Sequence, residues 1–201
     1  VYIVTEFLEG KRFDQLLEEH GRFTMSETLN ILGPVMAALE KMHACGLMHW
    51  DIRPENMVLL PSGRIKLMDF GMPEQHIDTC TADLPTAWED YVPAELYDPN
   101  GSHGPWSDIY ALCAVMYKMI TGKIPEVSGA RKFRDDLKKP SELGAVITPA
   151  QEAALMKGLA IDSADRIRSI GELRKAFAGE IDIRKGNSRK HKPKSPAGAS
   201  A

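Results

Sequence analysis

The sequence predicts an α+β domain, mainly helical, built around one small β-hairpin. Three observations predict it. Between Leu47 and Gly71, two short β runs, Met57–Leu60 and Arg64–Met68, flank the turn Pro61-Ser62-Gly63. Upstream and downstream of that hairpin, apolar residues recur at the helical period. The run Ser107–Gly122 is apolar nearly all round, which predicts a buried central helix.

The elements follow in chain order. Val1-Tyr2-Ile3-Val4 is β-branched and aromatic and reads as a buried strand, leaving through Thr5-Glu6-Phe7-Leu8-Glu9 to Gly10. Phe13–His20 is a short amphipathic helix stopped by Gly21. Ser26-Glu27-Thr28 opens a long helix to His43 with Leu29, Leu32, Val35, Met36 and Leu39 on one face, and Gly46 suits the left-handed position just past its end. Residues 72–90 carry no periodicity and read as a long loop. Pro125–Pro140, of mixed charge, reads as a surface loop or short helix. Thr148 caps a helix with Pro149 at its first position and Gln151 at its third, running to Leu159, and a last helix spans Ile170–Phe177.

The 201 residues suffice for one substantial core. Hydrophobic and charged fractions of 43% and 26% are those of a soluble globular protein. A formal charge of -3 argues against nucleic acid as a partner. Cys45, Cys80 and Cys113 share no zinc or disulfide spacing, which fits a reducing, cytoplasmic setting. No run of about 18 apolar residues is present to span a membrane. The chain starts at Val1 inside a β-like run, without Met or signal peptide, and reads as a piece of a longer protein.

The hairpin carries the chemistry. His49-Trp50-Asp51 and Asn56 lead into it, and Asp69-Phe70-Gly71 leaves it. Two carboxylates and an amide are hard oxygen donors, the kind Mg²⁺ takes alongside waters and substrate phosphates. Asp51 and Asn56 stand five apart, as in the catalytic loop H-R-D-L-x-x-x-N, and Asp69-Phe70-Gly71 follows as D-F-G. Through these paired motifs the sequence resembles the protein kinase family over about residues 1–180, in the serine/threonine, bacterial style.

The resemblance implies a kinase-like C-terminal lobe, with residues 1–10 as the last N-lobe strand and hinge, 11–180 as the lobe and 181–201 as a basic disordered tail. The rest of the N-terminal lobe would be absent: no Gly-rich loop, strand lysine or helix Glu partner occurs in this sequence. It implies transfer of the ATP γ-phosphate to a Ser or Thr hydroxyl of a protein substrate in the full-length parent, with Mg and ATP as cofactors. Asp51 would accept or orient the hydroxyl proton, Arg53 would hold positive charge near the γ-phosphate, and Asn56 and Asp69 would hold Mg²⁺. Thr5 resembles the gatekeeper, the backbones of Glu6 and Leu8 would face adenine, and Val58 would support the ring, although hairpin core fits Val58 equally. His49 and Gly71 complete the two motifs. Glu95 is the counterpart of the Glu in A-P-E and Arg166 its partner. Asp108 would hold the catalytic-loop backbone; it could also serve as a helix N-cap, and both can be true at once.

Trp50 departs from the pattern, standing where the Arg of H-R-D would be, and a Trp cannot pair with a phosphorylated Thr79, Thr81 or Thr86. Arg53 stands where Lys is usual, and its planar fork is not a point charge. Two rival readings follow: a pseudokinase acting as a binding or scaffolding module, and a small-molecule phosphotransferase of related fold. Asp51, Asn56 and Asp69 together argue against the first, and Asp108 with the Asp165-Arg166 segment against the second. Arg184–Lys194 packs six positive charges into eleven residues, a solvated tail, a juxtamembrane segment ahead of a membrane helix in the full-length parent, or a nucleic-acid contact.

Overall fold

The structure, a computed structural model, describes residues 6–70, 89–98 and 100–183. Val1–Val4, Thr5, Gly71, the loop residues 72–88 with Thr79, Thr81 and Thr86, and the basic tail from Arg184 lie outside the described residues. Among those described, the elements are β1 (Lys11–Arg12), α1 (Phe13–His20), α2 (Met25–Ala44), β2 (Met57–Leu59), β3 (Ile65–Leu67), α3 (Pro105–Thr121), α4 (Ser128–Arg131), α5 (Pro149–Gly158) and α6 (Ile170–Phe177). The fold is α+β and mainly helical.

The three strands form one antiparallel sheet in the order β1-β2-β3. The hairpin pairs Met57 with Leu67, Val58 with Lys66 and Leu59 with Ile65. Side chains alternate across a strand, so Met57, Leu59, Ile65 and Leu67 face the main core, where they are found. The strand Lys11–Arg12 was not legible in the sequence. Its two residues are polar and charged, and it exists because its backbone finds Leu59 and Val58 as partners.

The core is organised by α3. Ile109 through Tyr117 are all buried, together with Met119, Ile120 and Thr121, so the helix meets protein on every side. Helices α2 and α5 pack against it, and α6 closes against both α2 and α5. Helix α2 starts one residue earlier than its pattern suggested, because Thr24 is the cap: its hydroxyl accepts from the Glu27 amide while the Glu27 carboxylate takes the Thr24 amide. Thr148 and Gln151 make the same reciprocal pair at α5. The Pro125–Pro140 segment is not wholly superficial. Ser128 and Arg131 are 1% and 3% exposed. Arg131 tolerates burial because it donates four hydrogen bonds, two to the Asp135 carboxylate and one each to the Tyr110 hydroxyl and the Leu159 carbonyl.

Helices α3 and α5 approach closely enough that a Cβ at Gly158 would collide with the Cys113 sulfur. Gly158→Ala is expected to destabilise the fold by roughly 1–3 kcal/mol through overpacking. Adding Cys113→Ala should recover part of that loss in urea melts, whereas strictly additive effects would show that the collision is not the cause.

Candidate active site

Asp108 lies in the first turn of α3 and is 1% exposed. A buried carboxylate is costly unless donors surround it. Its Oδ2 accepts from the His49 amide at 2.8 Å, its Oδ1 from the Trp50 amide at 2.9 Å, and the His43 Nε2 lies 2.7 Å from Oδ2. The N-cap position belongs to Gly104, so the Asp108 oxygens serve the loop and not the helix end. Trp50, pinned in this way, has φ 69°. A bulky residue pays for that conformation and holds it only where its surroundings dictate it.

From there the chain runs inward. His49 is 2% exposed; its Nδ1 accepts from the Asp51 amide at 3.3 Å, and the ring also hydrogen-bonds the Met68 backbone. Burial holds its pKa below the ordinary 6.5, against the opposing pull of the Asp108, Asp51 and Asp69 carboxylates. Asn56 is buried at the end of a 3₁₀ turn that Pro54 opens. Its Nδ2 donates to the Asp51 carbonyl at 3.0 Å and to Asp51 Oδ2 at 2.7 Å. Both amide hydrogens are thereby used, and Asn56 Oδ1 is left without a partner among the described residues. The Asn56 carbonyl receives the Met68 amide at 2.8 Å, which ties the way into the hairpin to the way out.

Arg53 Nε stands 3.6 Å from Asp51 Oδ1 and 3.8 Å from Glu55 Oε2, ion-pair distances too long for hydrogen bonds. Asp69 is exposed with φ 54°, and Phe70 is 70% exposed beside it. Among the described residues no cluster of three or more His, Cys, Asp or Glu side chains could hold a metal. A two-ligand amide-plus-carboxylate set such as Asn56 and Asp69 suits an ion that keeps waters and phosphates in its remaining positions.

Val58 is buried on the sheet face opposite Met57 and Leu59, outside the main core cluster. Gly10 lies against it so closely that a Cβ there would stand 2.5 Å from both Val58 Cγ1 and the Leu59 carbonyl oxygen. The Glu6 side chain is ion-paired with Lys66, and Leu8 is half-buried. Gly71 and Thr5 fall outside the described residues.

Glu95 and Arg166, 71 residues apart, form a two-pronged ion pair at 2.5 and 2.7 Å, with side-chain exposures of 7% and 0%. Arg166 also donates to the Ala160 and Ile161 carbonyls, and Ser107 donates to Glu95 Oε1. Other holders of this segment were not foreseen: Ser128 donates to the Val92 carbonyl at 2.6 Å and Lys132 to the Ala94 carbonyl at 3.1 Å. His43 was likewise missed. Their partners are distant in sequence, and no local pattern marks them.

Two outcomes follow. Arg166→Ala should cost roughly 3–5 kcal/mol, since it strands the buried Glu95 charge; a loss under 1 kcal/mol in denaturant melts would refute this. Because the folded-state pKa of His49 is lowered, the unfolded chain binds the extra proton. Stability from this group is full above about pH 6.5 and is lost as pH falls below it. Thermal melts should show His49→Gln flattening the slope between about pH 5 and 6.5.

A family model described as protein kinase domain matches residues 1–160. The chain is 33% identical over 187 residues to a probable serine/threonine-protein kinase PknB of Corynebacterium glutamicum, covering 86% of this chain and 29% of that protein. It is 27% identical over 183 residues to serine/threonine-protein kinase PknB of Mycolicibacterium smegmatis, with the same coverage of 86% and 29%. The chain thus spans less than a third of the length of these curated relatives. A solved structure titled "PpkA-294 apo form" superposes with a TM-score of 0.71 at 26% identity, covering 86% of this chain and 61% of that one. With the family model matching most of its length, the chain belongs to the protein kinase family, on the bacterial serine/threonine side.

Proposed function

We propose that the protein containing this chain transfers the γ-phosphoryl group of Mg²⁺-ATP to a serine or threonine hydroxyl of a protein substrate. The observation that carries the proposal is the Asp51–Asn56 bridge. Asn56 Nδ2 occupies Asp51 Oδ2, which leaves Oδ1 with only the longer Arg53 contact. Oδ1 is therefore the oxygen that accepts the hydroxyl proton as the substrate oxygen bonds to phosphorus and the bond to the ADP leaving group breaks. Arg53 offers its guanidinium to the phosphate charge while staying within reach of Asp51. Asn56 Oδ1 and the Asp69 carboxylate would hold the metal, and Val58 with the Gly10 backbone would support the adenine. The backbones of Glu6 and Leu8 would face its edge. Bound Mg²⁺-ATP supplies the transferable group and the cation that neutralises its charge.

Asp51→Asn in the full-length protein should lower the transfer rate by about 10²-fold or more while ATP binding stays within about twofold. Equal transfer from both proteins, measured with radiolabelled ATP and a Ser/Thr peptide, would overturn the proposal.

A further inference from the structure

Trp50 lies at the joint between two structures that the chain separates by some 40 residues. Its amide is held by Asp108, and Asp51 follows it directly. Its side chain packs with Tyr97 against the buried Val92 and Leu96, in a small apolar cluster separate from the main core. The indole also meets the His103 ring edge-on, with centroids 5.5 Å apart and planes at 85°. His103 Nε2 lies 3.1 Å from the Glu95 carbonyl. The 92–97 segment is thus fixed from outside by Arg166, Ser107, Ser128 and Lys132, and from the catalytic-loop side by one aromatic ring.

We propose that Trp50 is a positioning residue that clamps the 92–97 segment onto the catalytic loop by apolar burial, setting the surface on which the peptide substrate lies beside Asp51. The physical basis is the edge-to-face geometry and the buried aliphatic contacts, both of which stabilise without any charged group. The strained backbone at Trp50 is consistent with this. It aims the side chain at the segment, and the Asp108 carboxylate holds the strain in place. The clamp needs no phosphate to close, so the segment keeps its place in the unmodified protein. The role in peptide placement rests on the phosphotransfer reading; the clamp itself does not.

Two readouts test it in the full-length protein. In Trp50→Ala, hydrogen exchange at the Leu96 and Asp98 amides, which bond the Pro93 and Glu95 carbonyls, should accelerate about tenfold while amides of α2 and α3 are unchanged. The KM for a Ser/Thr peptide should rise about three- to tenfold with the KM for ATP within about twofold, and Trp50→Phe should restore most of both effects. Phosphatase treatment of the wild type should leave Leu96 and Asp98 protected. Unchanged exchange in Trp50→Ala, or acceleration spread evenly over α2 and α3, would overturn the clamp. Altered exchange with an unaltered peptide KM would overturn its part in substrate placement. A wild type that transfers no phosphate would count against the phosphotransfer reading, and the exchange data would still decide the clamp.

Discussion

The site depends on one carboxylate. Asp108 takes two consecutive backbone amides, those of His49 and Trp50, on its two oxygens. Two parallel bonds to one rigid group fix orientation as well as position, which a single bond does not. Everything chemical is then placed relative to that pair. Asp51 is the next residue, its amide reaches back to the His49 ring, and Asn56 closes on its carbonyl and carboxylate. Without the anchor, the cost of the left-handed Trp50 backbone would have nothing to set against it.

The anchor works because it is mounted on the most deeply buried element. Helix α3 packs on every face and contributes Asp108, Ser107 and Tyr110 to polar contacts at its beginning. The Glu95–Arg166 pair docks beside the same turn, with Arg166 also reaching the Trp106 carbonyl at 3.3 Å. The His49–Asn56 loop and the 92–97 segment therefore share one foundation. The hydrogen bonds around Glu95, Arg166 and Arg131 satisfy charges that the interior would otherwise penalise by several kcal/mol each. Such densely hydrogen-bonded networks favour a single arrangement over its neighbours.

Much of this was legible in the sequence, for reasons that differ by element. The hairpin was readable because alternation and a Pro-Ser-Gly turn are local signals, and the helices at Phe13, Thr148 and Ile170 because caps and periodicity are local too. The resemblance to a family was readable because the residues His49 to Asn56 and Asp69-Phe70-Gly71 sit at fixed spacings within one short stretch. What escaped was whatever depends on distant partners. The strand Lys11–Arg12 has no strand-like composition and is held by its neighbour. The depth of Ser128 and Arg131 comes from carbonyls and hydroxyls contributed by other elements. The sequence left two roles open for Asp108, and two for Val58. For Asp108, three-dimensional placement shows which groups its oxygens serve, through the donors that surround it.

The burial of α3 has a consequence for how this protein tolerates variation. A helix that carries the loop anchor while packing on every side has no face on which change is free. A small shift of its axis, of the kind produced by resizing Leu112 or Met116 in the interior, would be delivered to Asp108 as a displacement of the His49 and Trp50 amides. Surveys of variants scored by activity would therefore register α3 as part of the reaction centre, although most of its side chains never approach a reactant. Scored by folding alone, the same positions would look like ordinary core.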